Sequence, residues 1–131
     1  MNSSQWDTIK HFSPSENFGD PSRMSYKLLL LLDNLREFIG RPIIIHCGYE
    51  ERNNNSYHCR GMAIDCHSDI GLFNFYTAAS RFDFTGLGVY PWWNNPGLHL
   101  DIRPIETLGN RSLWGSTSAG VYTPLTQELF A

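Results

Sequence analysis

The sequence predicts an α+β fold, a mainly antiparallel sheet with flanking helices. Two stretches, about 23–39 and 69–82, carry apolar residues at helical spacing. At least four short runs have the β-branched or alternating pattern of strands. The late strands follow one another too closely to need helical crossovers, so they pair antiparallel.

The elements follow in order. Residues 11–16 (His-Phe-Ser-Pro-Ser-Glu) are turn chemistry. Ser22 is the expected cap of a helix over about 23–39, with Leu28, Leu31, Leu32, Leu35, Phe38 and Ile39 as its buried stripe. Gly40 and Pro42 end it. Residues 43–47 (Ile-Ile-Ile-His-Cys) read as a buried strand, 48–55 as a polar loop and 63–67 as a second strand. Ser68 or Asp69 caps a helix to about Phe82, with Leu72, Phe75, Tyr76 and Ala79 on one face. Short strands follow at 87–90 and 98–103. After Pro104 the pattern weakens: Arg111 to Trp114 folds back over the core, and the last dozen residues form a loose tail.

At 131 residues the chain is long enough for one core without disulfides, so a single domain over 1–131 is expected, its core at about 11–115. A hydrophobic share of 41% with 18% charged residues is that of an ordinary globular protein. A net charge of -3 with no basic patch argues against nucleic acid as a partner. The longest apolar run, 28–32, is far short of the roughly 20 residues that span a bilayer, which excludes a membrane partner. The first seven residues lack a basic start and an apolar run, so cytoplasmic synthesis without a signal peptide is expected. An external substrate then requires delivery by something else. The three cysteines, an odd count, read as reduced, small core residues. A monomer is expected.

Two segments carry chemistry. In 98–103, Leu98, Leu100 and Ile102 alternate with His99, Asp101 and Arg103, so three functional groups project from one strand face. In 56–65 (Ser-Tyr-His-Cys-Arg-Gly-Met-Ala-Ile-Asp), Ala63 leaves space beside Asp65, and Gly61 supplies the turn between His58 and Asp65. Histidine and aspartate both suit zinc, and three protein ligands with an open fourth position characterise catalytic rather than structural sites. His58, Asp65 and His99 are the candidate ligands. His11 and His46 read as structural; His67 is either structural or a group that orients Asp65 from behind.

Together the segments resemble the M15 family of zinc D-Ala-D-Ala peptidases, which shares its fold with the Hedgehog signalling domain. The family's Ser-x-His-x-x-Gly-x-Ala-x-Asp is filled by Ser56, His58, Gly61, Ala63 and Asp65, and its His-x-Asp-x-Arg by His99, Asp101 and Arg103. Similar supporting pieces are Phe12-Ser13-Pro14-x-Glu16, Gly48-Tyr49, Gly86-x-Gly88-x-Tyr90 and Arg111-x-x-Trp114. The resemblance covers roughly 11 to 115. It implies a Hedgehog/DD-peptidase-like fold, a zinc ion on His58, Asp65 and His99, and cleavage of D-amino-acid amide bonds in peptidoglycan stem peptides or cross-bridges. Carboxypeptidase and endopeptidase both fit. A phage or prophage product acting on the cell wall fits the missing signal peptide, and so does a cytoplasmic housekeeping enzyme.

The chain also departs from the family. Many relatives place the general base three residues before the last histidine ligand, where this chain has Pro96; Asn94 and Asn95 cannot serve. Asp101 is therefore the candidate base, with a purely orienting role as the alternative. Relatives often have an arginine after Gly-Tyr, where this chain has Glu50, so Arg52 or Arg103 is the candidate for a substrate carboxylate. Ser56 is expected to line the site, and Tyr90, Trp92 and Trp93 to form an aromatic wall or merely to pack a loop. The rival reading is a non-catalytic module of the same fold that binds zinc or the cell wall.

Overall fold

The computed structural model describes residues 1–51, 55–105 and 110–131. Its helices are α1 (Ser3–Trp6), α2 (Tyr26–Ile39) and α3 (Leu72–Ala79). Its strands are β1 (Ile43–Cys47), β2 (Ala63–Ser68), β3 (Gly86–Tyr90), β4 (Gly97–Asp101), β5 (Ser112–Ser118) and β6 (Val121–Thr123). The fold is α+β around one mixed six-stranded sheet of order β1-β2-β4-β3-β5-β6. Only β3 and β5 pair in parallel; the other neighbours are antiparallel.

Helix α2 begins three residues later than the sequence predicts. Ser25, not Ser22, is its N-cap, and its side chain accepts from the Leu28 N–H. Ser22 belongs to a separate 3-10 turn, Pro21–Arg23, where its hydroxyl is held by Asp20. Ser25→Ala is therefore expected to lower stability by about 1 kcal/mol, and Ser22→Ala by clearly less, in urea unfolding. Gly40 ends the helix with φ 64. The buried stripe is Leu28, Leu29, Leu32 and Leu35; Phe38 lies outside it and meets Phe82 edge-on at the surface.

Helix α3 is shorter than predicted. Ser68 continues β2, and Asp69 is paired with Arg41, so neither caps it. Gly71 precedes the first helical residue without any side-chain cap. The buried face is Phe75, Ala78 and Ala79. These residues and the α2 stripe pack on Ile43, Ile45, Ile64, Cys66, Leu87 and Leu98 from the inner face of the sheet. Burial of such apolar side chains contributes roughly 1.5–3 kcal/mol each, which is what holds helices and sheet together.

The largest difference from expectation lies at the C-terminus. Arg111 to Trp114 does fold back, leading into β5, but the last dozen residues are not a loose tail: Val121–Thr123 form β6 against β5, and Leu129 is buried with 3% exposure. Arg111 anchors the return: its guanidinium donates to the carbonyls of Ser80, Phe82 and Phe84 at 2.8, 2.6 and 2.8 Å. The pattern of 112–118 is legible as a strand only in part, because its burial does not alternate.

Candidate metal centre and flanking recesses

The outer face of the sheet carries the site. Strand register places Cys47, Asp65, His99, Gly88 and Trp114 side by side across five strands. The next row is Ala63, Asp101 and Gly86. The small residues in these rows make room for the large ones. A Cβ on Gly88 would stand 2.5 Å from the Trp114 ring, and one on Gly86 would stand 2.2 Å from Asp101 Oδ1.

His58 reaches the row from the 3-10 turn Tyr57–Arg60. Ser56 caps that turn by accepting from the His58 N–H at 3.1 Å. Gly61 ends it at φ 68, where a Cβ would lie 1.8 Å from the Arg23 carbonyl oxygen. Only glycine suits both the positive φ and the close approach.

Three donor atoms converge. Asp65 Oδ1 lies 3.3 Å from His58 Nε2 and 3.0 Å from His99 Nδ1. The other nitrogen of each ring is fixed from behind: His58 Nδ1 lies 2.8 Å from the Gly48 carbonyl oxygen, and His99 Nε2 lies 2.8 Å from Asp101 Oδ2. Those acceptors put a proton on the outer nitrogens and turn two lone pairs inward beside a carboxylate. The set fits a metal ion.

A second group of potential ligands, Cys47, Glu50 and His58, is also close enough to hold an ion. Cys47 Sγ, however, lies 3.9 Å from His58 Nδ1, the nitrogen already held by Gly48. The group with Asp65 and His99 uses the free inward nitrogen, and it is the better chelate.

Electrostatics follows from this packing. Burial favours the neutral form of Asp65, but the His58 and His99 rings beside it, which can donate to it only while no metal takes their inward lone pairs, overcome that and hold the carboxyl well below its usual range. Burial likewise opposes ionisation of Asp101, yet hydrogen bonds from His99 and Arg103 bring it to about 2. For His99, burial disfavours the imidazolium, and the bonds to Asp101 and Asp65 outweigh it, so its pKa is raised.

Asp101 has no exposure at all, and both its oxygens are engaged. Arg103 donates to it through its backbone N–H at 3.0 Å, through Nε at 2.9 and 3.0 Å, and through Nη2 at 2.6 Å. The guanidinium is itself sandwiched, 4.9 Å from the Tyr57 ring and 4.9 Å from the Trp114 ring. Asp101 thus stands behind His99 rather than over the open side of the cluster.

Two recesses open on the cluster. One, of about 360 Å³, is lined by Ser56, Tyr57, Tyr90, His99, Arg103 and Trp114. The other, of about 430 Å³, is lined by residues that include His46, Cys47, Glu50, Asp65, Trp92 and Trp93. The Tyr90 and Trp93 rings stack at 4.3 Å and 16°, linking the two.

The structure therefore brings His58, Asp65, His99, Asp101, Arg103, Ser56, Tyr90 and Trp93 around one place. Arg52 lies outside the described residues. His67 pairs with His46 at 2.6 Å instead of supporting Asp65. Cys66 is a core residue as expected, but Cys47 is not: its Sγ is 3.3 Å from Asp65 Oδ2. A bulge between Ile45 and Cys47 turns Cys47 from the core face to the site face. No alternation in 43–47 announces that shift. Trp114 was signalled only by Arg111-x-x-Trp114, and nothing in the local pattern marks Tyr122, which also lines the first recess.

No helix of the described residues is long and apolar enough to cross a membrane. No family model matches the chain, and no curated protein matches it.

Proposed function

We propose that the chain is a zinc-dependent peptidase that hydrolyses D-amino-acid-containing amide bonds in peptidoglycan peptides. The observation that carries the metal part is the convergence of His58 Nε2, Asp65 Oδ1 and His99 Nδ1, with both imidazoles fixed from behind. Two nitrogens and one oxygen are the donor set of open, catalytic zinc sites. The substrate class rests on the resemblance of 56–65 and 99–103 to the D-Ala-D-Ala peptidases, and on the recesses that His99 and Asp65 line.

Zinc held at this cluster supplies Lewis acidity towards a scissile carbonyl and makes water more acidic. The chain's own residues do the rest. Gly48 and Asp101 hold protons on His58 Nδ1 and His99 Nε2, which keeps the inward lone pairs available. Arg103 keeps Asp101 ionised and in place. Tyr57, Tyr90 and Trp114 supply an aromatic lining to the recess beside His99. Of the two roles considered for Asp101, its burial and bonding support the orienting one.

That same burial favours one rival, a zinc-binding module without catalysis, since the carboxylate expected to move the proton is committed elsewhere. The two readings separate in one experiment. The zinc-loaded chain is incubated with a muropeptide panel and the products are read by mass spectrometry. Cleavage that stops with a chelator and returns with zinc supports the peptidase; one bound zinc with no cleavage across the panel leaves the module. A chain that takes up no zinc sinks both.

A further inference from the structure

We propose that Cys47 is a positioning residue of the metal centre. Its thiol donates to Asp65 Oδ2 and so presents Oδ1 alone to the ion, which keeps the fourth position of the site open. This rests on the zinc part of the reading above and deepens it.

Strand pairing brings the two side chains together. Cys47 stands opposite Asp65 across β1 and β2, just past the bulge that follows Ile45. Without that bulge the period of two would turn Cys47 into the core with Ile43 and Ile45, both 3% exposed. Cross-strand partners on one face have Cβ atoms roughly 4.5–5.5 Å apart, within reach of a thiol and a carboxylate. Cys47 Sγ accordingly lies 3.3 Å from Asp65 Oδ2. The two oxygens of Asp65 are thereby divided. Oδ1 meets both imidazoles, at 3.3 Å from His58 Nε2 and 3.0 Å from His99 Nδ1, and Oδ2 meets the sulfur.

This division suits a loaded site. An ion on the two inward nitrogens and Oδ1 leaves Oδ2 as an anionic acceptor, so the thiol contact is compatible with zinc. A carboxylate free to swing can take the ion with both oxygens, and the second would fill the position that a water or a scissile carbonyl needs. Sulfur is itself a zinc ligand, and the charge of the ion attracts it. Its placement favours the supporting role. Its contact with His58 is to Nδ1, at 3.9 Å, the outer nitrogen that lies 2.8 Å from the Gly48 carbonyl oxygen, and not to the inward Nε2. Among the described residues Cys47 shares a possible ligand group with Glu50 and His58, but it is not part of the set of His58, Asp65 and His99. The sulfur thus stands behind the cluster.

The test uses the full chain with zinc alone, and no cleavage is read. X-ray absorption at the zinc edge of the unmutated chain should show nitrogen and oxygen neighbours at about 2.0–2.2 Å and no sulfur at about 2.3 Å. Calorimetric titration should give Cys47→Ala a zinc Kd about tenfold higher, the lower end of what residues behind a ligand contribute, because a thiol is a weak donor. Cys47→Ser restores a donor at the same place and should bring the Kd back to within about threefold of the unmutated value. A sulfur neighbour in the unmutated chain, a Cys47→Ala chain that binds as tightly as the unmutated one, or a Cys47→Ser chain that binds no better than Cys47→Ala overturns the proposal. The absorption spectrum is read on the unmutated protein, so it stands whether or not a variant folds. A chain that takes up no zinc sinks the zinc reading and this inference with it. One that binds zinc equally well whatever stands at position 47 sinks only the inference.

Discussion

Asp101→Ala is expected to destabilise the protein by about 3–5 kcal/mol and to weaken zinc binding by roughly 10–100-fold. The carboxylate is fully buried and accepts from His99 and from Arg103. Its removal leaves the partly buried Arg103 guanidinium, a quarter exposed, without its partner and frees the His99 ring to turn. The cost is that of an uncompensated charge, which exceeds what the intact pair contributes net. Asp101→Asn keeps the volume and some of the hydrogen bonds, so its stability should fall between the two. Urea unfolding measures the first effect and calorimetric zinc titration the second. A variant that keeps stability and zinc affinity but loses hydrolysis would overturn the orienting role and restore Asp101 as the base.

The second large effect concerns Asp65. The unmutated chain should bind one zinc, and Asp65→Asn should weaken that binding by more than about 100-fold, beyond the range typical of residues behind the ligands. The variant keeps the shape of the side chain and removes only the charge between the two imidazoles. The pH dependence has a definite sign. His99 has a raised pKa, so in the metal-free chain its imidazolium contributes stability that is fully present below the ordinary histidine range and lost as pH rises through the raised value. Zinc needs the same nitrogen unprotonated. Its affinity should therefore drop as pH falls through that value, with a proton released on binding at lower pH. Titrations in buffers of different ionisation enthalpy count that proton; a pH-independent affinity would exclude His99 as a ligand.

Much of this arrangement was legible in the sequence, for identifiable reasons. The alternation through 98–103 put His99 and Asp101 on one face because β4 obeys a period of two, and its inner side chains are core. Gly61 stood out because its turn needs a positive φ. What was hidden depended on distant or irregular features. Cys47 reached the site through a one-residue bulge that reverses the phase of β1. The start of α2 depended on which of two serines the preceding turn consumed, and that turn is fixed by Asp20. The strand β5 was missed because its partner β3 lies far back in the chain and runs parallel to it. Glu50 reads as an ordinary loop acid until the fold sets it in one recess with Trp92 and Trp93. Local patterns thus disclosed the candidate ligands, while the recesses around them required the tertiary fold.

The cross-strand row that carries the cluster has a bearing on the order in which the chain matures. Asp65 and His99 are separated by 34 residues, and Trp114 pairs with Gly88 through a parallel ladder that forms later along the chain. A nascent chain that has emerged only as far as β2 holds His58 and Asp65, together with Cys47 and Glu50, but not His99. It can gather the full set only when β4 has docked, and it gains its aromatic enclosure only when β5 follows. Closing such long loops is slow compared with local helix formation. Assembly of the His58, Asp65 and His99 set is then a late event of folding.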